Sequence, residues 1–324
     1  MADLQHRFVA TNGIKMHYVE QGEGPLVVLC HGWPESWYSW RHQIPALAQA
    51  GFRVVAPDQR GYGQTDAPAP IESYNILNLT GDIVGLINSL GEKRAIVVGH
   101  DWGAPVAWHC ALLRPDLIHA CALLSVPYIP RGPIRPSIGW KALEGADKHF
   151  YQNYFQEPGK VEKELEADTR RTMAMILYSA SGDPPPEERW QFLFPRTKTF
   201  IQSGMVPNKL PPWLTEADVD FFAQEFNRAG FRGGLNWYRN FDRNWEITPF
   251  LDGAMLPQRS MFATGEHDCV LAMLAMIGGD AGKIVQATMP NCRKMTILPD
   301  AGHWIQQERP DEINRLLVEF VRNL

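Results

Sequence analysis

In the first 130 residues, apolar positions gather in short continuous runs, most of them closed by a Gly, His or Asp. "PLVVLCHG" (25–32), "RVVAPD" (53–58) and "RAIVVGH" (94–100) share this design, and "HACALLSVPY" (119–128) extends it. Runs so short and so uniformly apolar predict strands covered on both faces. "KMHYVE" (15–20) predicts a further strand ahead of them. Between the runs the spacing becomes helical, most clearly in "SYNILNLTGDIVGLINSLG" (73–91), where Gly91 is placed to end the helix. This alternation predicts an α/β fold: a mostly parallel sheet flanked by helices.

The pattern breaks after Tyr128. "IPRGPIRPSIG" (129–139) is rich in Pro and Gly, and from there to about Trp245 strand-like runs disappear. "KVEKELEADTRRTMAMILYSA" (160–180) has helical periodicity, and its charge run from Glu162 to Arg171 reads as a solvated helix face. The α/β rhythm returns with "QRSMFATGEHD" (258–268) and "KMTILPDAGHW" (294–304). The last helix opens with Pro310 and sets Ile313, Leu316, Leu317, Phe320 and Val321 on one face. The expected organisation is a core built from residues 1–130 and 246–324, interrupted by a helical cap at 131–245.

Composition narrows the partners. Net charge is -5 and no basic block occurs, so nucleic acid and anionic membranes are not expected. The five cysteines are odd in number and none has C-x-x-C spacing, which argues against a disulfide framework or zinc site and for a reducing compartment, the cytoplasm. The N-terminal stretch is polar, without the apolar core of a signal peptide. No run approaches the roughly 20 apolar residues of a membrane span. The sequon Asn78-Leu79-Thr80 then reads as chance.

The chemistry concentrates in "VVGHDWGAPVAW" (97–108). Gly99-x-Asp101-x-Gly103 between a strand and a helix predicts a tight turn that presents its central side chain at the carboxyl end of the sheet. A nucleophile there needs a His, oriented by an acid, in the chain order nucleophile, acid, His. Asp268 in "GEHD" and His303 in "DAGHW" each follow a strand candidate and complete that order. His267 reads as a surface residue, and His100 as pointing away from substrate. "LCHGWPESWYSW" (29–40) predicts an oxyanion hole from the backbone N–H groups of Trp33 and Trp102. An Asp nucleophile suits attack at a saturated carbon. A Ser oxygen would leave an ether there, which His-activated water does not readily cleave. A carboxylate leaves an ester, which water hydrolyses at the carboxylate's own carbonyl. Epoxide opening and halide displacement both fit. An epoxide oxygen leaves as a strongly basic alkoxide, and a neutral Tyr, of ordinary pKa about 10, can protonate it. Tyr151, Tyr154 and Tyr238 are all candidates, and the pattern does not choose among them.

"HGWPESWYSWRHQIPAL", "DQRGYGQTDAP", "VVGHDWGAPVAW", "YQNYFQEPG", "GFRGGLNWYRN", "GEHDCVL" and "AGHWIQQERPDEIN" together resemble the soluble epoxide hydrolases of the α/β-hydrolase fold, over nearly the whole chain. The elbow and the HGxP loop are partly shared with dehalogenases; "YFQEPG" and "NWYRN" are the specific segments. The resemblance implies an inserted helical cap whose Tyr151 and Tyr238 hold the oxirane oxygen, with Tyr154 left to the pocket or to packing. It also implies a cis peptide before Pro34. Vertebrate members carry an N-terminal phosphatase domain; this chain opens almost directly on its first strand, so no phosphatase activity is expected.

The expected activity is conversion of a small-molecule epoxide and water to a vicinal diol, with Asp101, Asp268, His303, Tyr151 and Tyr238 catalytic and no metal or cofactor required. Trp33, Trp102, Trp237, Met173 and Phe155 are expected to line an apolar cavity, with His31 and Pro34 also at the substrate. A monomer and a homodimer are both compatible. Two alternatives are a haloalkane or haloacid dehalogenase, with the Trp102 indole holding the halide, and a ligand-binding protein that keeps the fold without catalysis.

Overall fold

Eight strands form one sheet in the computed structural model, which describes residues 4–324. The first three residues of the polar N-terminal stretch lie outside the described residues. In chain order the strands are β1 (Gln5–Thr11), β2 (Ile14–Gln21), β3 (Leu26–Cys30), β4 (Arg53–Pro57), β5 (Ala95–His100), β6 (Ile118–Leu124), β9 (Arg259–Gly265) and β10 (Cys292–Leu298); β7 (Lys148–Phe150) and β8 (Leu193–Pro195) make a separate ribbon. The sheet order is β1-β2-β4-β3-β5-β6-β9-β10. Only the pairings made by β2, with β1 and β4, are antiparallel. This is the α/β-hydrolase arrangement.

The apolar runs end up as expected, because each strand alternates between two buried layers. Val28, Cys30, Val55, Val97 and Leu123 face one layer, and Val27, Leu29, Val54, Val98 and Leu124 the other. The helices α1 (Gln43–Gln49), α2 (Ile76–Ser89) and α3 (Gly103–Leu113) cover the sheet, together with the last helix, Pro310–Arg322. That helix buries all five of its expected apolar residues; each contributes roughly 1.5–3 kcal/mol by leaving water. Gly91, at φ 76, follows α2. Asn75 starts α2, its side chain accepting from the N–H groups of Leu77 and Asn78.

Between Leu124 and Arg259 the chain adds no strand to the main sheet. It supplies helices, including Tyr151–Tyr154, Thr169–Ser179 and Arg232–Arg239, and the β7–β8 ribbon. Trp245 lies inside the helix Phe241–Ile247, so the expected boundary there would cut an element. The charge run is not a purely solvated face. Glu162 is buried and pairs with Arg239 at 2.7 Å, and Glu164 accepts from the Phe200 N–H at 3.0 Å. The run also breaks at Asp168, which caps the second of two helices. No single helix among the described residues is long and apolar enough to cross a membrane.

Candidate active site

Asp101 sits between β5 and α3 with φ 49. A non-glycine residue in that region costs on the order of 1–3 kcal/mol. The flanking glycines allow the turn. A Cβ on Gly99 would lie 2.1 Å from the Gly103 carbonyl oxygen, and one on Gly103 would lie 2.0 Å from that of Cys30. The crossing is therefore so close that neither position has room for a side chain. The loop after β3 approaches just as tightly: a Cβ on Gly32 would lie 2.4 Å from the Asp101 Cβ. Gly32→Ala is accordingly expected to push the loop off Asp101 and to destabilise the fold by about 1–3 kcal/mol, as overpacking does. Thermal unfolding measures this, and an unchanged Tm would refute it.

The Asp101 carboxylate meets backbone donors from both sides. The Trp33 N–H donates to Oδ1 at 2.8 Å, and the Trp102 N–H also reaches the carboxylate. The Trp33–Pro34 peptide is cis. Burial pushes the Asp101 pKa up, and the charges of His303 and His100 with these two N–H groups only partly offset it.

His303 Nε2 lies 3.7 Å from Asp101 Oδ2, and its Nδ1 lies 3.0 Å from Asp268 Oδ1. Asp268 also accepts from the Val270 N–H at 2.9 Å and the Thr264 hydroxyl at 3.0 Å. Burial alone would lower the His303 pKa, but the charge and hydrogen bond of Asp268, with the Asp101 charge, raise it to about 9. The same pairing holds Asp268 below its ordinary range against the upward push of burial. The backbone of His303 is fixed as well: its N–H donates to the Ala180 carbonyl at 2.9 Å, and its carbonyl lies 2.8 Å from His100 Nε2. His100 is turned away from the carboxylate, with Nδ1 2.8 Å from Glu35.

Tyr151 and Tyr238 face the same cavity, their ring centroids 5.9 Å apart. Burial raises both pKa values far above the ordinary range, so both phenols are neutral. The Gln152 amide donates to the Tyr151 hydroxyl oxygen at 2.8 Å, and the Trp102 ring packs edge-on against the Tyr238 ring, centroids 5.3 Å apart. An amide nitrogen only donates, so the Tyr151 oxygen is the acceptor there and its O–H is left to be given elsewhere.

Together these groups line a cavity of about 40 Å³ with Trp33, Met175, Ile176, Trp190, Phe200 and Trp304. Several expected lining residues are not in that wall. His31 is buried behind the loop, its Nε2 accepting from the Gln59 N–H at 3.0 Å. Pro34 is buried and absent from the lining. Phe155 packs against Trp33 and Tyr238, each at 5.2 Å, and so backs the wall. Trp237 is turned away from the wall, and its indole donates to the Arg60 carbonyl at 3.1 Å. Met173 is buried in the same helix as Met175 and Ile176 but does not line the cavity. The Trp102 indole, expected to hold a halide in the dehalogenase alternative, is absent from the cavity wall and packs edge-on against Tyr238, ring centroids 5.3 Å apart. Tyr154 pairs with Glu164 outside the cavity. His267 is half-buried at a neighbouring cavity.

The sequence profile of the alpha/beta hydrolase fold family matches residues 25–310. Epoxide hydrolase A of Mycobacterium tuberculosis is 44% identical over 323 residues, covering 98% of this chain and 97% of that protein. Among solved structures, an epoxide hydrolase from an endophytic Streptomyces superposes with a TM-score of 0.93 at 47% identity, covering 98% of this chain and 95% of that one. The chain belongs to the epoxide hydrolase family of the α/β-hydrolase fold. A further member, epoxide hydrolase A of Mycobacterium thermoresistibile, gives a TM-score of 0.91 at 46% identity over 99% of this chain and 98% of that one. Within this epoxide hydrolase-family chain, sequence reasoning missed Glu35 and Ser125. Glu35 accepts from the Gly32 N–H at 2.7 Å, and the Ser125 hydroxyl lies 3.0 Å from His303 Nδ1. Both sit just past strand ends, which is the signal that could have found them.

Proposed function

We propose that this protein hydrolyses epoxides to vicinal diols through a covalent ester on Asp101. Asp101 attacks an oxirane carbon, and Tyr151 and Tyr238 donate their O–H groups to the departing oxygen. His303, oriented by Asp268, then removes a proton from water, which attacks the Asp101 carbonyl carbon. The N–H groups of Trp33 and Trp102 hold the oxyanion. The substrate is a small-molecule epoxide with water as co-substrate. Residues 131–247 act as a cap that carries the two tyrosines over the core. The five unpaired cysteines favour a reducing compartment, the cytoplasm.

The observation that carries this reading is the pair of phenols. Both line the cavity with Asp101, burial keeps both neutral, and the Tyr151 oxygen accepts from Gln152, which leaves its O–H for the substrate. A halide leaves as a weakly basic anion that needs no proton, whereas the basic epoxide oxygen needs the proton or strong hydrogen bonds that neutral phenols supply. The test is a single turnover of styrene oxide in H₂¹⁸O with enzyme in excess. Unlabelled diol with ¹⁸O in Asp101 supports the ester; labelled diol with unlabelled Asp101 means direct attack by water and refutes it. Tyr151→Phe and Tyr238→Phe are each expected to slow ester formation by about 10²-fold or more, and the double variant by more, as read by stopped flow.

The pH dependence follows from the charges around His303. Ester formation neutralises Asp101 and removes one of the charges that raise His303. In the ester the His303 pKa is therefore below about 9. Hydrolysis needs neutral His303, so its rate rises with pH through that lowered value. Ester formation needs ionised Asp101 and is lost as pH falls through the raised Asp101 pKa. Single-turnover fluorescence of the cavity tryptophans resolves the two steps, and a hydrolysis rate that falls as pH rises would contradict the assignment.

A further inference from the structure

Cys269 plays no part in the proposed mechanism, yet it stands beside the triad. It is the first residue of the helix Cys269–Met276, which Asp268 caps. One donor atom each from Cys269, Asp268 and His303 lie within 4.8 Å of one another. Asp268 and His303 are buried and Cys269 is half-buried.

We propose that Cys269, His303 and Asp268 form a site for a soft divalent metal ion, zinc or cadmium, whose binding reversibly inhibits the enzyme. The donor set is one sulfur, one imidazole nitrogen and one carboxylate oxygen. Three such donors and a water complete a tetrahedron around zinc, and the sulfur discriminates against magnesium and calcium. Metal–ligand lengths of about 2.0–2.3 Å require donor atoms roughly 3.3–3.6 Å apart. Rotation of the Cys269 thiol and a small turn of the imidazole close that gap. Binding displaces both the thiol proton of Cys269 and the imidazolium proton of His303, which leave to solvent as the sulfur–metal and nitrogen–metal bonds form, with no change of oxidation state.

A route to the site exists. Cys269 lines the reaction cavity and, with Asp268, a second cavity of about 430 Å³ that shares Trp190 and Ala180 with the first. Exposed Pro186, Gln191 and Glu266 lie at that cavity. An ion enters there without crossing the apolar chamber. A second cluster, Glu266, His267 and Asp300, has its donor atoms equally close but offers no sulfur. It is the competitor that the test must separate.

The consequence for turnover rests on the mechanism proposed above. A metal that holds His303 and Asp268 removes the base and its orienting group but leaves Asp101 free. The loaded enzyme therefore forms the ester and does not hydrolyse it.

Cadmium is titrated into the full-length protein while the ultraviolet thiolate-to-cadmium charge-transfer band is followed. The expected result is one equivalent per chain, with the band absent in Cys269→Ala, weakened in His303→Ala, and retained in Cys292→Ala and His267→Ala. Zinc should inhibit the wild type, reversibly with EDTA. Relative to each variant's own metal-free rate, the inhibitory concentration should rise by at least about tenfold in Cys269→Ala. A band that survives Cys269→Ala, or zinc inhibition that His267→Ala removes and Cys269→Ala does not, overturns the site. The optical titration needs no turnover. Failure to hydrolyse epoxides would therefore count against the mechanism, and a missing band against the metal site alone.

Discussion

Asp101→Ala is expected to lower epoxide kcat/KM by at least ~10⁴-fold without lowering the melting temperature. The loss follows from the geometry. Asp268, the other triad carboxylate, faces Val270, Thr264 and His303 and cannot reach a carbon held against the tyrosines. Cys269 also lines the cavity, but burial raises its thiol pKa well above the ordinary value, so no ready nucleophile replaces Asp101 and the oxyanion donors then have nothing to act on. The stability half of the prediction comes from sign. Asp101 has a pKa raised by folding, chiefly by burial. A carboxylate that folding makes harder to ionise destabilises the folded state at neutral pH, where it is charged. Its removal relieves that cost, which offsets the poorer tolerance of Ala than of Asp for φ 49. The Trp33 and Trp102 N–H groups lose a partner, but water can take its place in the cavity. Activity is read with styrene oxide and stability by thermal unfolding. Retention of more than a small fraction of wild-type turnover would identify another nucleophile. A marked fall in Tm would mean that the carboxylate holds the loop after β3 in place rather than being strained by it.

The fold was legible where the chain repeats a simple physical pattern. Buried parallel strands are apolar on both faces, so Leu26–Cys30 and Ala95–His100 announce themselves. β1 is different. Gln5–Thr11 is an edge strand with one neighbour and mostly exposed residues, so no alternation marks it. Its signal lay in the turn instead: Asn12 and Gly13 take φ 43 and 78, the conformation an Asn-Gly hairpin supplies. The residues that the structure brings together around Asp101 were legible because tight turns at strand ends leave few residues that can fill them. Asp101, Asp268 and His303 are brought together across 202 residues of chain. The cavity wall was not. Helical segments offer several apolar faces, and only packing decides that Met175 and Ile176 face the cavity while Met173 does not. His31 and Trp237 failed for a related reason. Their backbone neighbours are at the site, but their side chains satisfy buried polar groups behind it.

His303→Gln is expected to turn the enzyme into a trap, accumulating one covalent adduct per chain while steady-state turnover falls by at least ~10⁴-fold. The two chemical steps make different demands. Attack by an ionised Asp101 on a saturated carbon requires no proton to be removed, and the leaving oxygen takes its proton from Tyr151 or Tyr238. Hydrolysis of the ester requires a base for water, and within the cavity His303 is the group placed for it, 3.7 Å from the Asp101 carboxylate. Gln retains a donor toward Asp268 and occupies similar volume, so it removes the base with little repacking. It also removes a positive charge that lowers the Asp101 pKa. Adduct formation in the variant should therefore lose rate at a higher pH than in the wild type as acid is added. Intact-mass spectrometry after mixing with styrene oxide reads the adduct directly. Diol at the wild-type rate without adduct would show that His303 is not the base. Neither adduct nor diol would place His303 in the first step, as the charge that keeps Asp101 ionised.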